Sequence, residues 1–252
     1  MFAQVLWSEW TKLRSVRSTW WLVALAVVLT AGIGVAISAS AAAEPSSSAL
    51  PADVATRSAI GTILAQLALG TLAVLVISGE YSSGMIRTSM TVVPRRLPVL
   101  AAKITVYVAV VLPVTAVTSL GTFLLGQVAW RSHGRAVVSL GDPTVARIVF
   151  GAALYLTVAG VCAVAIGTLL RSTAGGTTAV AGLFFVVPTV IQAMPSKIAG
   201  VARFLPSNAG GGLSRIATSS HSLPPWPGFA LLCGYAAVLV AAAAWRLRRT
   251  DV

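Results

Sequence analysis

Acidic residues are scarce in this chain of 252 residues, which has 6 Asp and Glu against 18 Lys and Arg. None of the six long apolar stretches contains an Asp or Glu. Carriers coupled to protons or sodium usually place ionisable groups near the membrane centre, so a secondary transporter is disfavoured. The two histidines, His133 and His221, lie between apolar stretches. Neither an intramembrane serine protease nor a metal hydrolase is therefore indicated.

Nucleotide-binding and disulfide motifs are also missing. A P-loop needs Gly-Lys followed by Ser or Thr, whereas Lys12, Lys103 and Lys197 follow Thr, Ala and Ser. If transport is driven by ATP, another subunit must hydrolyse it. Cys162 and Cys233 both lie in apolar stretches and give neither a disulfide framework nor a metal-ligand spacing.

The composition is that of an integral membrane protein. The chain is 57% hydrophobic and 10% charged, whereas about 25% of residues are charged in soluble proteins. The basic excess could suggest nucleic acid, but no soluble domain is available to carry a basic face, so we interpret it as a topology signal and expect no nucleic-acid partner.

The apolar stretches predict six spans, since roughly 20 apolar residues cross a bilayer. Backbone groups in lipid must pair within each segment, and the stretches lack the alternation of barrel strands, so the predicted fold class is an all-α membrane protein. We expect a single transmembrane domain over residues 1–252. Its predicted spans lie at about 20–42, 58–79, 104–129, 148–170, 174–194 and 226–245.

The distribution of basic residues predicts cytoplasmic termini. The N-terminus, the Gly79–Lys103 loop, Arg171 and the C-terminal tail carry eleven Lys and Arg, against seven on the other side. The alternative for the first stretch is a cleaved signal ending near Ser38–Ala43. A long leader with an amphipathic pattern argues against cleavage.

The leader, residues 1–18, predicts an interfacial helix along the cytoplasmic surface. Its apolar residues recur at helical spacing, and these are Phe2, Val5, Leu6, Trp10, Leu13 and Val16. Lys12, Arg14 and Arg17 are expected to meet anionic lipid headgroups. Two roles remain equally open for this helix: it anchors the topology of the chain, or it takes part in coupling to a partner protein.

The polar segment between the second and third spans, Gly79 to Pro98, is the stretch that tells most about function. Gly79 and Gly84 can redirect the chain, and Met85 and Ile86 can give a short helix an apolar side for a partner's groove. A solvated loop that retains cytoplasmic charge is the alternative. For Glu80, pairing with Arg87 could hold the bend after the second span, and a simple helix-end charge is the alternative.

Three segments resemble permease subunits of ABC-2 type export systems, particularly the actinobacterial group. They are the leader from Glu9 to Trp20, the loop Glu80–Arg87 followed by Pro94-Arg95-Arg96 and Lys103, and the outer segment Leu205–Gly210. Their order matches the layout of that family across the whole chain.

The resemblance implies a second permease, the same or a paralogous chain, and two copies of a cytoplasmic ABC ATP-binding subunit. No cofactor is expected on this chain, because ATP and Mg would bind the partner subunit. The relay to the partner would lie in the leader and in a short coupling helix between the second and third spans. The coupling residues implied are Glu80, Tyr81, Gly84, Met85, Ile86, Arg87, Arg95 and Arg96.

The resemblance also implies export from the plasma membrane through a central cavity. Candidate residues for the substrate path are Gln66, Phe184, Phe185 and Gln192. An apolar path would suit a hydrophobic or amphiphilic drug, lipid or peptide antibiotic, which would link the protein to antibiotic resistance. The alternative function is a non-transporting immunity or scaffold protein of the membrane.

Small residues and glycines suggest two further features. Rows at Gly32, Ala36 and Ser40 and at Ala153, Gly160 and Gly167 allow close helix approach, either within the bundle or between subunits. A short helix is expected within Pro195–Pro206, and Gly210-Gly211-Gly212 is expected to loosen the chain after it.

Overall fold

The computed structural model describes residues 2–43, 53–82, 96–194, 200–216 and 223–249, with Glu80, Tyr81, Ser82 and Arg96 described by their backbone alone. These residues form helices and no strand. The α-helices are α1 (Phe2–Ser15), α2 (Arg17–Ala43), α3 (Asp53–Ser58), α4 (Thr62–Ser82), α5 (Arg96–Ser132), α6 (Pro143–Leu170), α7 (Thr173–Ala181), α8 (Val187–Gln192), α9 (Pro206–Gly211) and α10 (Pro225–Arg249).

Among the described residues, six helical segments are long and apolar enough to cross a membrane, which confirms the predicted all-α membrane fold. They are Arg17–Ala43, Asp53–Gly79, Leu97–Ser132, Pro143–Leu170, Thr173–Gln192 and Pro225–Arg249. The helix α5 has 37 residues, or about 55 Å at 1.5 Å per residue. It therefore extends beyond a hydrocarbon core of ~30 Å.

The helices α4 and α6 form the centre of the bundle. Buried residues make up 78% of the apolar window of α6 but only 22% of that of α10, so the latter is peripheral. One large core cluster joins α4, α5 and α6 through residues such as Leu72, Tyr107 and Leu156. The peripheral helices α2 and α10 turn many apolar side chains outward, as expected for surfaces that meet lipid.

The two predicted rows of small residues have different surroundings. A Cβ added at Gly160 would overlap the ring of Tyr107, and one at Gly167 would lie 2.9 Å from a methyl group of Ile77. This row therefore packs within the bundle. By contrast, Gly32, Ala36 and Ser40 are all exposed on α2.

The connection between the fourth and fifth spans has only two residues, because each adjacent helix is closely capped. Arg171 adopts the left-handed conformation, with φ 54°, and its N–H donates to the Gly167 carbonyl. The Ser172 hydroxyl then accepts from the Gly175 N–H at 3.2 Å and starts α7. These caps satisfy backbone groups that a helix end leaves without partners.

The fifth span widens into a π-helical turn at Gly182–Val186. Pro188 explains this turn, since it has no N–H to donate to the Phe184 carbonyl one turn earlier. The Thr189 hydroxyl donates to the Phe185 carbonyl at 2.7 Å. The span is thus helical throughout, with a local change of pitch before α8.

The expectation that Gly210-Gly211-Gly212 loosens the chain is wrong. These glycines lie in α9 and the 3₁₀ turn that follows it, Gly212–Ser214. A Cβ at Gly210 would collide with Leu232 of α10 and lie 2.8 Å from Tyr155 of α6. The glycines therefore permit α9 to insert between two spans. In the preceding segment, residues 195–199 of the expected helix lie outside the described residues, and Gly200–Phe204 forms a 3₁₀ helix.

Arg147 fixes the chain that leaves α9. Its guanidinium donates to the carbonyl oxygens of Gly212, Leu213 and Arg215 at 3.0–3.3 Å. At the same end of the bundle, the Trp130 indole N–H donates to the Ser38 carbonyl at 3.1 Å. At the end opposite α1, these side chains therefore hold neighbouring segments together through bonds to backbone carbonyls.

We predict that Gly34→Ala destabilises the protein, whereas Gly32→Ala does not. A Cβ at Gly34 would collide with the carbonyl oxygen of Ser58, while a Cβ at Gly32 meets nothing within 4 Å. Overpacking costs about 1–3 kcal/mol, and Ala is otherwise the better helix former. Thermal unfolding in detergent, followed by size-exclusion fluorescence, measures the difference. Equal melting temperatures for the two variants would contradict this packing.

A candidate functional site between α1, α4 and α5

A buried ion pair joins α1 to α5. The Glu9 carboxylate accepts from the Lys103 ammonium at 2.6 Å, and their side chains are 4% and 2% exposed. The other carboxylate oxygen accepts from Lys12 at 2.8 Å, and Lys12 is 32% exposed. One carboxylate is therefore held between two cations, one buried and one at the surface.

The same ammonium also contacts the second span. Lys103 Nζ donates to the carbonyl oxygen of Val76 in α4 at 3.1 Å. A lysine ammonium has three protons to donate, so it can bond α1 and α4 at once from its place on α5. Three helices that are distant in sequence meet at this nitrogen.

Apolar contacts on both sides of the ion pair set the register of α1 against α5. Val5 packs near Val99 and Ala102, and Leu13 packs near Val106 and Val110. Glu9 lies midway between Val5 and Leu13 along one helix face, because residues four apart share a face. The helix α1 thus follows the direction of α5 for about two turns.

The contact face of α1 is narrower than the apolar face predicted from the sequence. Val5, Glu9 and Leu13 are buried, whereas Trp10 is 36% exposed and Phe2 and Val16 nearly half exposed. Arg14 and Arg17 are also exposed. The location of α1 among lipid headgroups stays a prediction.

A cavity of about 390 Å³ lies beside the ion pair. Its walls come from one face of α1, the start of α2, the last turns of α4 and the start of α5. The lining residues are Glu9, Lys12, Leu13, Val16, Ser18, Thr19, Leu72, Leu75, Val76, Gly79, Lys103 and Val106. Apart from the charged cluster, the walls are mostly apolar. The cavity is therefore suited to a ligand with one apolar part and one polar or charged part.

The start of the fifth span is held against the same end of α4. The Thr173 hydroxyl donates to the Ser78 hydroxyl at 2.8 Å. A Cβ at Gly176 would lie 2.6 Å from a methyl group of Val74, so α7 approaches α4 closely. The last turns of α4 therefore contact α1, α5 and α7 together.

Most of the predicted coupling residues lie outside the described residues. These are Gly84, Met85, Ile86, Arg87 and Arg95. The expected coupling helix lies outside the described residues as well. Glu80 and Tyr81 belong to the last turn of α4, and Arg96 is the first residue of α5. The Glu9–Lys103 pair thus lies about two turns from the helix ends on both sides of the segment 83–95.

The predicted substrate-path residues are spread over different surroundings. Gln66 is buried and its side-chain oxygen accepts a hydrogen bond from the Tyr155 hydroxyl. Phe184 lies in the central core and Phe185 packs against it, whereas Gln192 is exposed at the end of α8. They do not line the cavity beside Glu9.

Sequence reasoning did not single out Glu9 and Lys103 as a pair. The sequence places Lys103 in the loop before the third span, because a charge marks the limit of an apolar stretch. In the structure, Lys103 lies about two turns inside α5. The available signal was Glu9 itself, an acid four residues from Val5 and four from Leu13 on an apolar face.

Comparison with protein families agrees with this layout. The model of the family described as ABC-2 family transporter protein matches residues 5–188, from α1 into the fifth span. The chain belongs to the ABC-2 transporter family. A search of curated proteins gave no match.

Membership confirms the resemblance and gives the chain its general role. This ABC-2 protein is a multi-pass membrane permease component of an ABC transporter. The family supplies the transmembrane part of such a transporter, and membership implies association with an ABC ATP-binding subunit.

We predict that Lys103→Met strongly destabilises this permease, because it leaves the Glu9 carboxylate without its buried partner. Removing one member of a buried pair costs about 3–5 kcal/mol. Lys12→Met is the matched control, with an expected cost below about 1 kcal/mol because this lysine is partly exposed. Chemical denaturation in detergent gives both values.

The double variant Glu9→Leu with Lys103→Met tests the pairing itself. Because neither charge is then buried alone, most of the lost stability should return. If the two substitutions were merely additive, Glu9 and Lys103 would not form an energetic pair.

Proposed function

We propose that this permease is the membrane subunit of an ATP-driven exporter of the plasma membrane. Both termini face the cytoplasm, and two ABC ATP-binding subunits bind beneath a pair of permeases made of this chain and an identical or paralogous one. The chain itself binds no cofactor and catalyses no reaction, since ATP and Mg bind the partner subunits. The cargo is hydrophobic or amphiphilic, such as a drug, a lipid or a peptide antibiotic.

The observation that carries this proposal is the three-way contact at Lys103. It joins α1, α4 and α5 through Glu9 and the Val76 carbonyl, about two turns from the two helix ends that lead into residues 83–95. A push on that segment would act on α4 and α5 and, through the ion pair, on α1. Such a junction suits the transmission of a movement from a cytoplasmic partner into the spans.

The distribution of charge supports an apolar cargo. In the described spans, the charged residues lie within about two turns of a helix end, for example Lys103, Arg131 and Arg147. Ionisable groups near the membrane centre commonly mark ion pathways. A path through these six spans would therefore be lined by apolar and uncharged polar side chains.

The outer surface of α2 supports pairing with a second permease. Gly32, Ala36 and Ser40 are exposed at four-residue spacing, and small residues allow helices to approach closely in membranes. Whether the partner is identical or paralogous decides only which residues meet this row.

The first test is co-purification from the native host in mild detergent. We expect a P-loop ATPase at stoichiometric abundance, and we expect Met85→Asp with Ile86→Asp to remove it, because a charge in an apolar docking face disrupts it. Ser132→Asp, at the other end of α5, is the control and should retain the ATPase. Recovery of the chain alone would favour the immunity or scaffold function.

Direction is tested with the purified complex in vesicles that expose the ATPase outside. A phosphatidylcholine carrying a fluorescent headgroup label serves as the amphiphilic probe. Export predicts ATP-dependent movement of the probe toward the lumen, which shields it from a membrane-impermeant quencher. Movement in the opposite direction would mean import.

We predict that Glu80→Ala leaves folding intact but lowers transport-coupled ATP hydrolysis. Loss of this carboxylate would remove a charge at the end of the second span, where the proposed movement enters the bundle. ATPase activity of the reconstituted complex is measured with and without the probe. Unchanged stimulation, with normal assembly, would show that Glu80 has no part in coupling.

A further inference from the structure

The cavity beside the ion pair has the arrangement of an amphiphile site. Its α4 wall runs from Leu72 to Gly79, two turns of one helix face. The Lys103 ammonium meets α4 at Val76, whereas Leu72 lies one turn farther into the span. The cavity is therefore charged toward the end of α4 and apolar toward the membrane interior.

The volume of the cavity is sufficient for part of a ligand. At about 390 Å³ it falls within the range of roughly 300–1,000 Å³ typical of small-molecule sites. Leucine and valine side chains from α1, α4 and α5 provide the inner walls. Such walls favour a hydrocarbon chain, because each buried CH₂ contributes about 0.8 kcal/mol.

A basic residue, Arg17, lies next to the opening of the cavity. Val16 and Ser18 line the cavity and are exposed, so the cavity reaches the surface there. Arg17, between them in sequence, is exposed next to this opening without lining the cavity itself. Among the residues that the structure describes, no acidic side chain pairs with Arg17. An anionic headgroup is therefore the complementary ligand at the opening.

Exposed tryptophans favour a position of this opening at the level of lipid headgroups. Trp20 and Trp21 begin the first span directly after Ser18 and Thr19, and they are 48% and 76% exposed. Trp7 and Trp10 on α1 are also exposed. Tryptophan is enriched where the bilayer meets water, so a phospholipid in the adjoining leaflet can reach the cavity without leaving the membrane.

We propose that this cavity is a binding site for an anionic phospholipid of the leaflet next to α1. One acyl chain lies along Leu72, Leu75 and Val106, and the phosphate lies at the rim near Arg17. The lipid fills the space between α1 and the ends of the spans. It thereby adds apolar contacts to the ion pair that holds α1 in place.

The test measures lipid retained by the purified full-length chain. The protein is exchanged into detergent with equal amounts of phosphatidylglycerol and phosphatidylethanolamine, and bound lipid is counted by native mass spectrometry. One phosphatidylglycerol should be retained per chain, in preference to phosphatidylethanolamine. Equal retention of the two lipids, or retention of neither, would overturn the proposal.

Two pairs of variants locate the site. Arg17→Gln should lower phosphatidylglycerol occupancy about fivefold, because one basic residue near an anionic lipid changes the affinity by about this factor. Arg246→Gln replaces another exposed basic residue and should leave the occupancy unchanged. Leu75→Trp should fill the cavity and displace the lipid, whereas Leu64→Trp, on the exposed side of α4, should leave it bound.

The exposed position of Arg17 means that its replacement does not disturb the core, so the proposal stays testable even if Leu75→Trp fails to fold. Unchanged binding in Arg17→Gln would overturn the assignment. The assay needs neither nucleotide nor ATPase. Loss of transport with lipid retention intact would therefore count against the exporter function and not against this site.

Discussion

Two charges with the low exposure of Glu9 and Lys103 are stable only where they meet, and this requirement fixes the position of α1 on the bundle. The pair joins residues 94 apart in sequence. Separated, each buried charge would lose an opposite charge that offsets the cost of its burial. Because Lys103 also bonds to α4, the pair fixes the relative positions of α1, α4 and α5. The cavity between these helices exists because the pair holds them there.

The number of spans could be predicted because membrane insertion imposes a simple rule on sequence. A helix in lipid needs a long stretch without charge, and each of the six stretches became such a helix. Local chemistry also explained several helix ends. Asp142 before Pro143, for instance, caps α6 through two backbone N–H groups, as a short acid before an N-terminal proline commonly does.

Features that depend on a partner distant in sequence could not be predicted in the same way. Lys103 precedes the third apolar stretch, so the sequence alone places it in the loop, and its compensating acid lies in another helix. The glycines at 210–212 are ambiguous in sequence, because glycine serves both loose turns and close contacts. The hydrogen bond between Gln66 and Tyr155 is a further example, because the two residues lie on different spans; the place of Gln66 on a substrate path stays a prediction.

The two-residue link at Arg171 and Ser172 has a consequence for how the bundle can move. With so little chain between them, α6 and α7 cannot slide apart, and α7 is bonded to α4 through Thr173 and Ser78. The second, fourth and fifth spans therefore form one stiff unit at this end. A displacement that reaches the end of α4 would therefore be passed to α6 and α7 as well.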